Sequence, residues 1–198
     1  QSDRWRAPTV ISLAIGQGEL AVTPIQLANM VAAVANRGWW IRPHVVRAID
    51  GIAISDEQYT KINKTTIDHK HFEVIVAGMS DVFESGTARA SRLEGLMMAG
   101  KTGTAQVFGK NANGTLKSDT SWFASYAPTD KPRFAVVMMV SQGGFGASSS
   151  GVGVRQIYET LFGVTGSKVV PGAAIYPEGK PPVKLPKISP ATKVKENP

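Results

Sequence analysis

Cysteine is missing from all 198 residues. That excludes disulfides, thiolate metal sites and a cysteine nucleophile, and leaves the redox compartment open. No apolar run reaches the roughly 18 residues that a bilayer-spanning helix needs. The opening from Gln1 to Arg6 is polar, has no signal-like apolar stretch and does not begin with Met, so a piece of a longer protein is expected. Histidine is scarce, with three in the chain. His69 and His71 are two apart and cannot share a helical face as i, i+4 ligands would. With His44 they read as surface or half-buried residues. No metal and no cofactor is expected.

Charge is sparse and unevenly placed. Charged residues are 19% of the chain and the net charge is +7. The last 31 residues, from Lys168, hold six lysines against Glu178 and Glu196, which accounts for four of those seven charges. The rest of the chain is close to neutral, so no nucleic-acid partner is expected. Seven of the twelve prolines also lie between Pro171 and Pro198. Residues 1–167 therefore read as one folded unit and 168–198 as an extended Pro/Lys-rich tail.

Periodicity places the elements. Thr23, Pro24 and Gln26 form a capping-box start, Leu27, Val31, Val34 and Ala35 make one apolar face, and Gly38 stands where a C-cap is expected. Residues 41–49 look strand-like, broken by Pro43, and a polar loop runs to Lys64. A second helix is expected from Asp68 to Glu84. Strands are expected over 97–108, 120–127 and 134–141, joined by short turn-forming links that favour antiparallel pairing. The unbroken apolar run Phe134–Val140 suits a strand covered on both faces. A last helix is expected over about 152–162, ended by Gly163. Trp39 and Trp40 read as packing residues, with partner binding as the alternative. The implied fold is α+β, an antiparallel sheet flanked by helices.

Gly95 to Thr102 satisfies the phosphate-loop spelling G-x-x-x-x-G-K-[ST]. That mechanism needs a small-residue loop and a helix opening at the Lys. Here the loop positions are Leu96, Met97, Met98 and Ala99, and Gly103 falls in the would-be first turn. Nucleotide binding is rejected on those grounds. Read as a strand edge, Lys101, Thr102, Gly103 and Thr104 offer a cation, two hydroxyls and close backbone access, which suits docking of a carboxylate.

K-T-G is one of three signatures of the serine acyltransferases of the penicillin-binding and β-lactamase group. Its surroundings extend the likeness. Ser12 to Glu19, Val22 to Asn29, Ala35 to Gly38, Ser85 to Ala88, Ala99 to Ala105, Trp122-Phe123 with Tyr126 to Pro128, and Pro132 to Val136 follow one another as in class B penicillin-binding proteins. The chain resembles that family over about residues 9–163, as part of its transpeptidase domain. The resemblance implies a peptidoglycan D,D-transpeptidase, inhibited by β-lactams, on the extracytoplasmic face of a bacterial membrane. An anchor outside this chain and a glycan polymerase as partner are implied with it. Lys101, Thr102 and Thr104 would bind the terminal carboxylate of a D-Ala-D-Ala donor, and Gly103 would let it pair along the strand. The Thr104 N–H would be one oxyanion donor, contributing about 3 kcal/mol by analogy with other acyl-transfer sites.

The family's S-x-x-K and S-x-N are both absent, so no nucleophile is expected in this chain, and the chain alone is expected to be inactive. Ser148, Ser149 and Ser150 lack an adjacent base and read as loop residues. Ser85-Gly86-Thr87 fits either a helix terminus or part of a site rim. Gly153 stands where the family's Pro is expected, a departure that bears on local packing. A non-catalytic β-lactam sensor or scaffold of the same fold is the alternative.

Overall fold

A computed structural model describes residues 6–165 and 168–169. In chain order, helices α1 (Ala7–Ala14) and α2 (Pro24–Ala35) precede a strand β1 (Trp39–Trp40) and a small hairpin of β2 (Ala48–Ile49) and β3 (Ile52–Ala53). A one-turn α3 (Glu57–Thr60) and strand β4 (Asn63–Lys64) lead into α4 (His69–Glu84). The main sheet is β5 (Ala99–Ala105), β6 (Thr120–Ala127) and β7 (Phe134–Val140), followed by α5 (Ser150–Phe162). A last pair, β8 (Val164–Thr165) and β9 (Lys168–Val169), ends the described chain. Apart from β9, the expected Pro/Lys-rich tail lies outside the described residues.

The sheet is an antiparallel meander, β5–β6–β7, with Lys101 opposite Ala124 and Gly103 opposite Trp122. Alternation then assigns its faces. Ala124 and Tyr126 join Val31, Ala35 and Val76 in a core between the sheet and helices α2 and α4. Phe123, Ala127 and Val136 join Val154, Tyr158 and Phe162 in a second core under α5. In β7, Ala135 and Val137 pack toward the first core, Phe134, Val136 and Met138 toward the second. Its unbroken apolar run thus has a helix on each side, as expected.

Two buried hydroxyl networks pin α5 to the sheet. Ser150 N–H donates to Ser121 Oγ at 3.1 Å, the two hydroxyls are 2.7 Å apart, and Ser121 Oγ donates to the Phe145 carbonyl. Ser125 Oγ donates to the Val136 carbonyl and lies 3.1 Å from the Tyr158 hydroxyl. Gly153 faces the Met138 side chain, which stands where an added Cβ would be, so a larger residue here would require Met138 to move.

The capping box of α2 forms as read: Gln26 N–H donates to Thr23 Oγ1 and Thr23 N–H to Gln26 Oε1. Its far end differs in detail. Arg37, at φ 56°, holds the left-handed position, and Gly38 follows it and donates to the Ala33 carbonyl. The Arg37 guanidinium is committed there, bonding the Ala35 carbonyl at 2.7 Å and Glu73 of α4 at 3.0 Å. Residues 41–47 are not a strand. Pro43 has no N–H to give a ladder, so pairing is confined to β1 with β4 and β2 with β3. Asp68 caps α4, accepting from Lys70 N–H, and that bond holds its carboxyl below the ordinary carboxylate range.

Candidate active site

Among the described residues, β5 pairs along one edge, with β6. Its other edge carries the groups that the sequence singles out. In an antiparallel strand the N–H and C=O of one residue point the same way, and alternate residues point oppositely. The Thr104 carbonyl faces away from β6, where it accepts from Gln17 Nε2 at 2.9 Å, and Gln106 N–H faces the same way, donating to Gln17 Oε1 at 3.2 Å. The N–H groups of Thr102 and Thr104 therefore lie on this outer edge. Lys101 is exposed in the strand, its Nζ 2.7 Å from the Thr102 carbonyl. It does not open a helix, so the phosphate-loop geometry is absent.

The threonine hydroxyls are held from two directions. Thr102 Oγ1 is 2.9 Å from Thr87 Oγ1, just beyond the end of α4. Thr104 Oγ1 accepts from Gly146 N–H at 3.3 Å. Gly146 sits so close to the sheet that a Cβ there would lie 2.5 Å from the Gly103 carbonyl oxygen and 2.6 Å from that of Trp122. Two backbone carbonyls cannot give way, so the loop can cradle the strand here only through glycine. Gly100 is equally constrained by Ala124 and Ser125 of β6.

Beside this edge opens a cleft of about 500 Å³ between α2 and α4, with Lys101, Thr102, Gly103, Trp122 and Ala124 on its floor. Its walls are Leu27, Met30, Val31 and Val34 from α2 and Val74, Ile75, Met79 and Val82 from α4. A cation and the Thr102 hydroxyl thus meet an apolar trough, an arrangement that can seat a small anionic group with an apolar element beside it.

Lys101, Thr102, Gly103 and Thr104 lie together in β5, the edge strand of the sheet. Ser85 is the C-cap of α4, and Thr87 two residues on reaches the strand, so the helix-terminus and rim readings both hold. Ser148 donates to the Phe145 carbonyl and Ser150 is buried against Ser121, which makes these serines structural. His69 lies 4.0 Å from Glu73 and His44 against the Arg42 carbonyl. Among the described residues no group of three metal-ligating side chains occurs. Gln17 and Gly146 are the site neighbours that had to come from the fold, whereas Thr87 falls in the segment that the sequence offers as a helix terminus or site rim. Of these two, Gln17 left a trace in the sequence, between two glycines in Gly16-Gln17-Gly18.

The family model described as the penicillin binding protein transpeptidase domain matches residues 1–159. The chain belongs to the penicillin-binding protein transpeptidase family. Peptidoglycan D,D-transpeptidase MrdA of Acinetobacter baumannii is 37% identical over 161 residues, covering 76% of this chain and 24% of the relative. Its namesake in Haemophilus influenzae is 31% identical over 170 residues, covering 78% and 26%. Penicillin-binding protein 2 of Pseudomonas aeruginosa, solved in complex with WCK 5153, superposes with a TM-score of 0.71 at 33% identity, over 86% of this chain and 36% of that one. These likenesses are to class B penicillin-binding proteins, and the α+β sheet with its flanking helices is the corresponding part of their transpeptidase fold. The chain spans about a quarter of the length of the curated relatives it matches.

Proposed function

We propose that this chain is the C-terminal portion of a peptidoglycan D,D-transpeptidase and supplies the donor-binding wall of its active site. The observation that carries the proposal is the outer edge of β5. Lys101, the Thr102 and Thr104 hydroxyls and two outward N–H groups line one strip beside an apolar cleft.

Each group then has a task. The Lys101 ammonium and the two hydroxyls hold the terminal carboxylate of a D-Ala-D-Ala stem peptide through charge-assisted bonds. Gly103 leaves room for the donor backbone to lie along the strand. The Thr104 N–H stabilises the oxygen of the tetrahedral intermediate. A serine on a segment outside this chain attacks the penultimate D-Ala carbonyl. The serine oxygen–carbonyl bond forms, the peptide C–N bond breaks, and the terminal D-Ala leaves as an amine carrying a proton. An acceptor amine later displaces the serine, completing the cross-link. A β-lactam enters by the same groups, its carboxylate taking the place of the donor's. The working site is extracytoplasmic, on a protein anchored in the bacterial membrane through a segment outside this chain and acting beside a glycan polymerase.

The test is labelling of the full-length protein with a fluorescent penicillin. The expected result is a label that survives SDS and acid and maps to a serine outside these 198 residues. No label, in a protein shown to be folded, overturns the catalytic reading and leaves a non-catalytic scaffold of this fold. A label on Ser148, Ser149 or Ser150 overturns the placement of the nucleophile.

A further inference from the structure

Gln17 is far from the strand in sequence, yet its side-chain amide lies along the β5 edge. It uses both halves: Nε2–H donates to the Thr104 carbonyl and Oε1 accepts from Gln106 N–H. Those two backbone groups are neighbours on the outer edge, and a pairing strand would otherwise occupy them. The amide therefore acts as a one-residue strand that closes the edge just beyond Thr104.

The local chain is shaped to present it. Helix α1 ends at Ala14, Gln17 N–H returns to the Ser12 carbonyl at 2.8 Å, and Gly16 and Gly18 take φ of +73° and +86° on either side. Left-handed glycines flanking a single side chain make a tight turn that aims it. Gly146 N–H bonds Thr104 Oγ1 from the loop before α5, so Thr104 is held at its hydroxyl by that loop and at its carbonyl by Gln17.

We propose that Gln17 is a positioning residue for the acyl-transfer step: it sets the backbone at Thr104 so that its N–H meets the reacting carbonyl, and it locks the register of the donor. A donor strand that slides by two residues keeps its side-chain alternation but brings its carbonyl to Gln106 N–H in place of Thr104 N–H. Gln17 Oε1 already fills that N–H. Registers that run past Thr104 are thereby closed, which favours the one that ends there with the donor carboxylate beside Lys101 and Thr102. This rests on the transpeptidase reading above and adds to it a residue from outside the K-T-G strand.

The experiment uses the full-length protein and a fluorescent penicillin, with acylation followed over a range of concentrations to separate Kd from the acylation constant k2. Gln17→Ala is expected to lower k2 by about tenfold to a hundredfold, the scale of a small misplacement at a reacting centre, with Kd changed far less. Gln17→Glu keeps the shape and the acceptor but cannot donate to the Thr104 carbonyl as a carboxylate, and the same loss in k2 is expected. It also covers the case in which the alanine variant does not fold. Amide exchange at Gln106 is expected to quicken in Gln17→Ala while amides of β6 stay protected. An unchanged k2 in the folded variants, or a rise in Kd alone, overturns the positioning role. A wild-type protein that is not acylated at all fails the transpeptidase reading itself, and this inference falls with it.

Discussion

At the scale of the residue, the site divides into groups that serve a ligand and groups that serve the fold. On the proposed function, Lys101 belongs to the first kind. It is exposed, and its bond to the Thr102 carbonyl is to a neighbour that the strand already holds in place. Lys101→Ala in the full-length protein is therefore expected to leave the unfolding midpoint nearly unchanged. It is expected to slow penicillin acylation by about tenfold to a hundredfold, the scale of one lost charged hydrogen bond. Stopped-flow labelling beside a thermal melt checks both halves. A variant that unfolds, yet acylates at the normal rate in its folded fraction, would make Lys101 a structural residue. Lys101 through Thr104 were legible in the sequence because four adjacent residues on one strand carry their own chemistry. Of their supports, Thr87 was legible as part of a helix terminus or rim, and Gln17 and Gly146 were not. Gln17 and Gly146 reach the strand across separations of 87 and 42 residues, and no local pattern encodes such a contact.

At the scale of the element, α5 meets the sheet through buried hydroxyls as well as apolar side chains, and one of them titrates. Tyr158 is fully buried, and desolvation pushes its phenol well above the ordinary tyrosine value near 10. The sign follows from linkage. A raised folded value favours the protonated phenol in the native state, so the contribution is fully present below about pH 10 and is lost as pH climbs from there toward the folded value. Tyr158→Phe removes that dependence at a cost of about 1 kcal/mol at neutral pH, since Ser125 keeps its bond to the Val136 carbonyl. Urea midpoints at pH 8 and about 10.5 are expected to fall less in the variant than in the wild type. Equal falls would show that Tyr158 contributes nothing to the alkaline loss.

The elements themselves were readable where one physical rule dominated. The capping residues of α2 and α4 and the helical spacing of their apolar faces located both, and turn-forming links with an unbroken apolar run located β6 and β7. Helix α1 went unread because its eight residues lack a side-chain cap, include Thr9, Val10 and Ile11, and bury nothing completely. The strand expected over 41–49 failed for the opposite reason: local β propensity was present, but its pairing partners were two residues long.

At the scale of the whole molecule, the telling feature is apolar surface beside the reactive edge. In this chain Ile75 on the wall of the cleft is 52% exposed and Ile49 on the β2–β3 hairpin is 64% exposed. Judged by exposure alone, a charge at either position should matter equally little. The proposed function separates them. If the segment bearing the nucleophile brings an apolar helix against α2, α4 and the floor at Lys101, Ile75 is core in the full-length protein and Ile49 remains at the surface. Ile75→Lys is then expected to lower stability by about 2–4 kcal/mol, as an uncompensated buried charge does, and to reduce penicillin acylation. Ile49→Lys is expected to stay within about 0.5 kcal/mol of wild type with acylation intact. Denaturant midpoints and labelling rates of the two variants decide the matter. Matching small effects would mean that the cleft stays open to water, leaving the nucleophile to approach Thr104 from elsewhere.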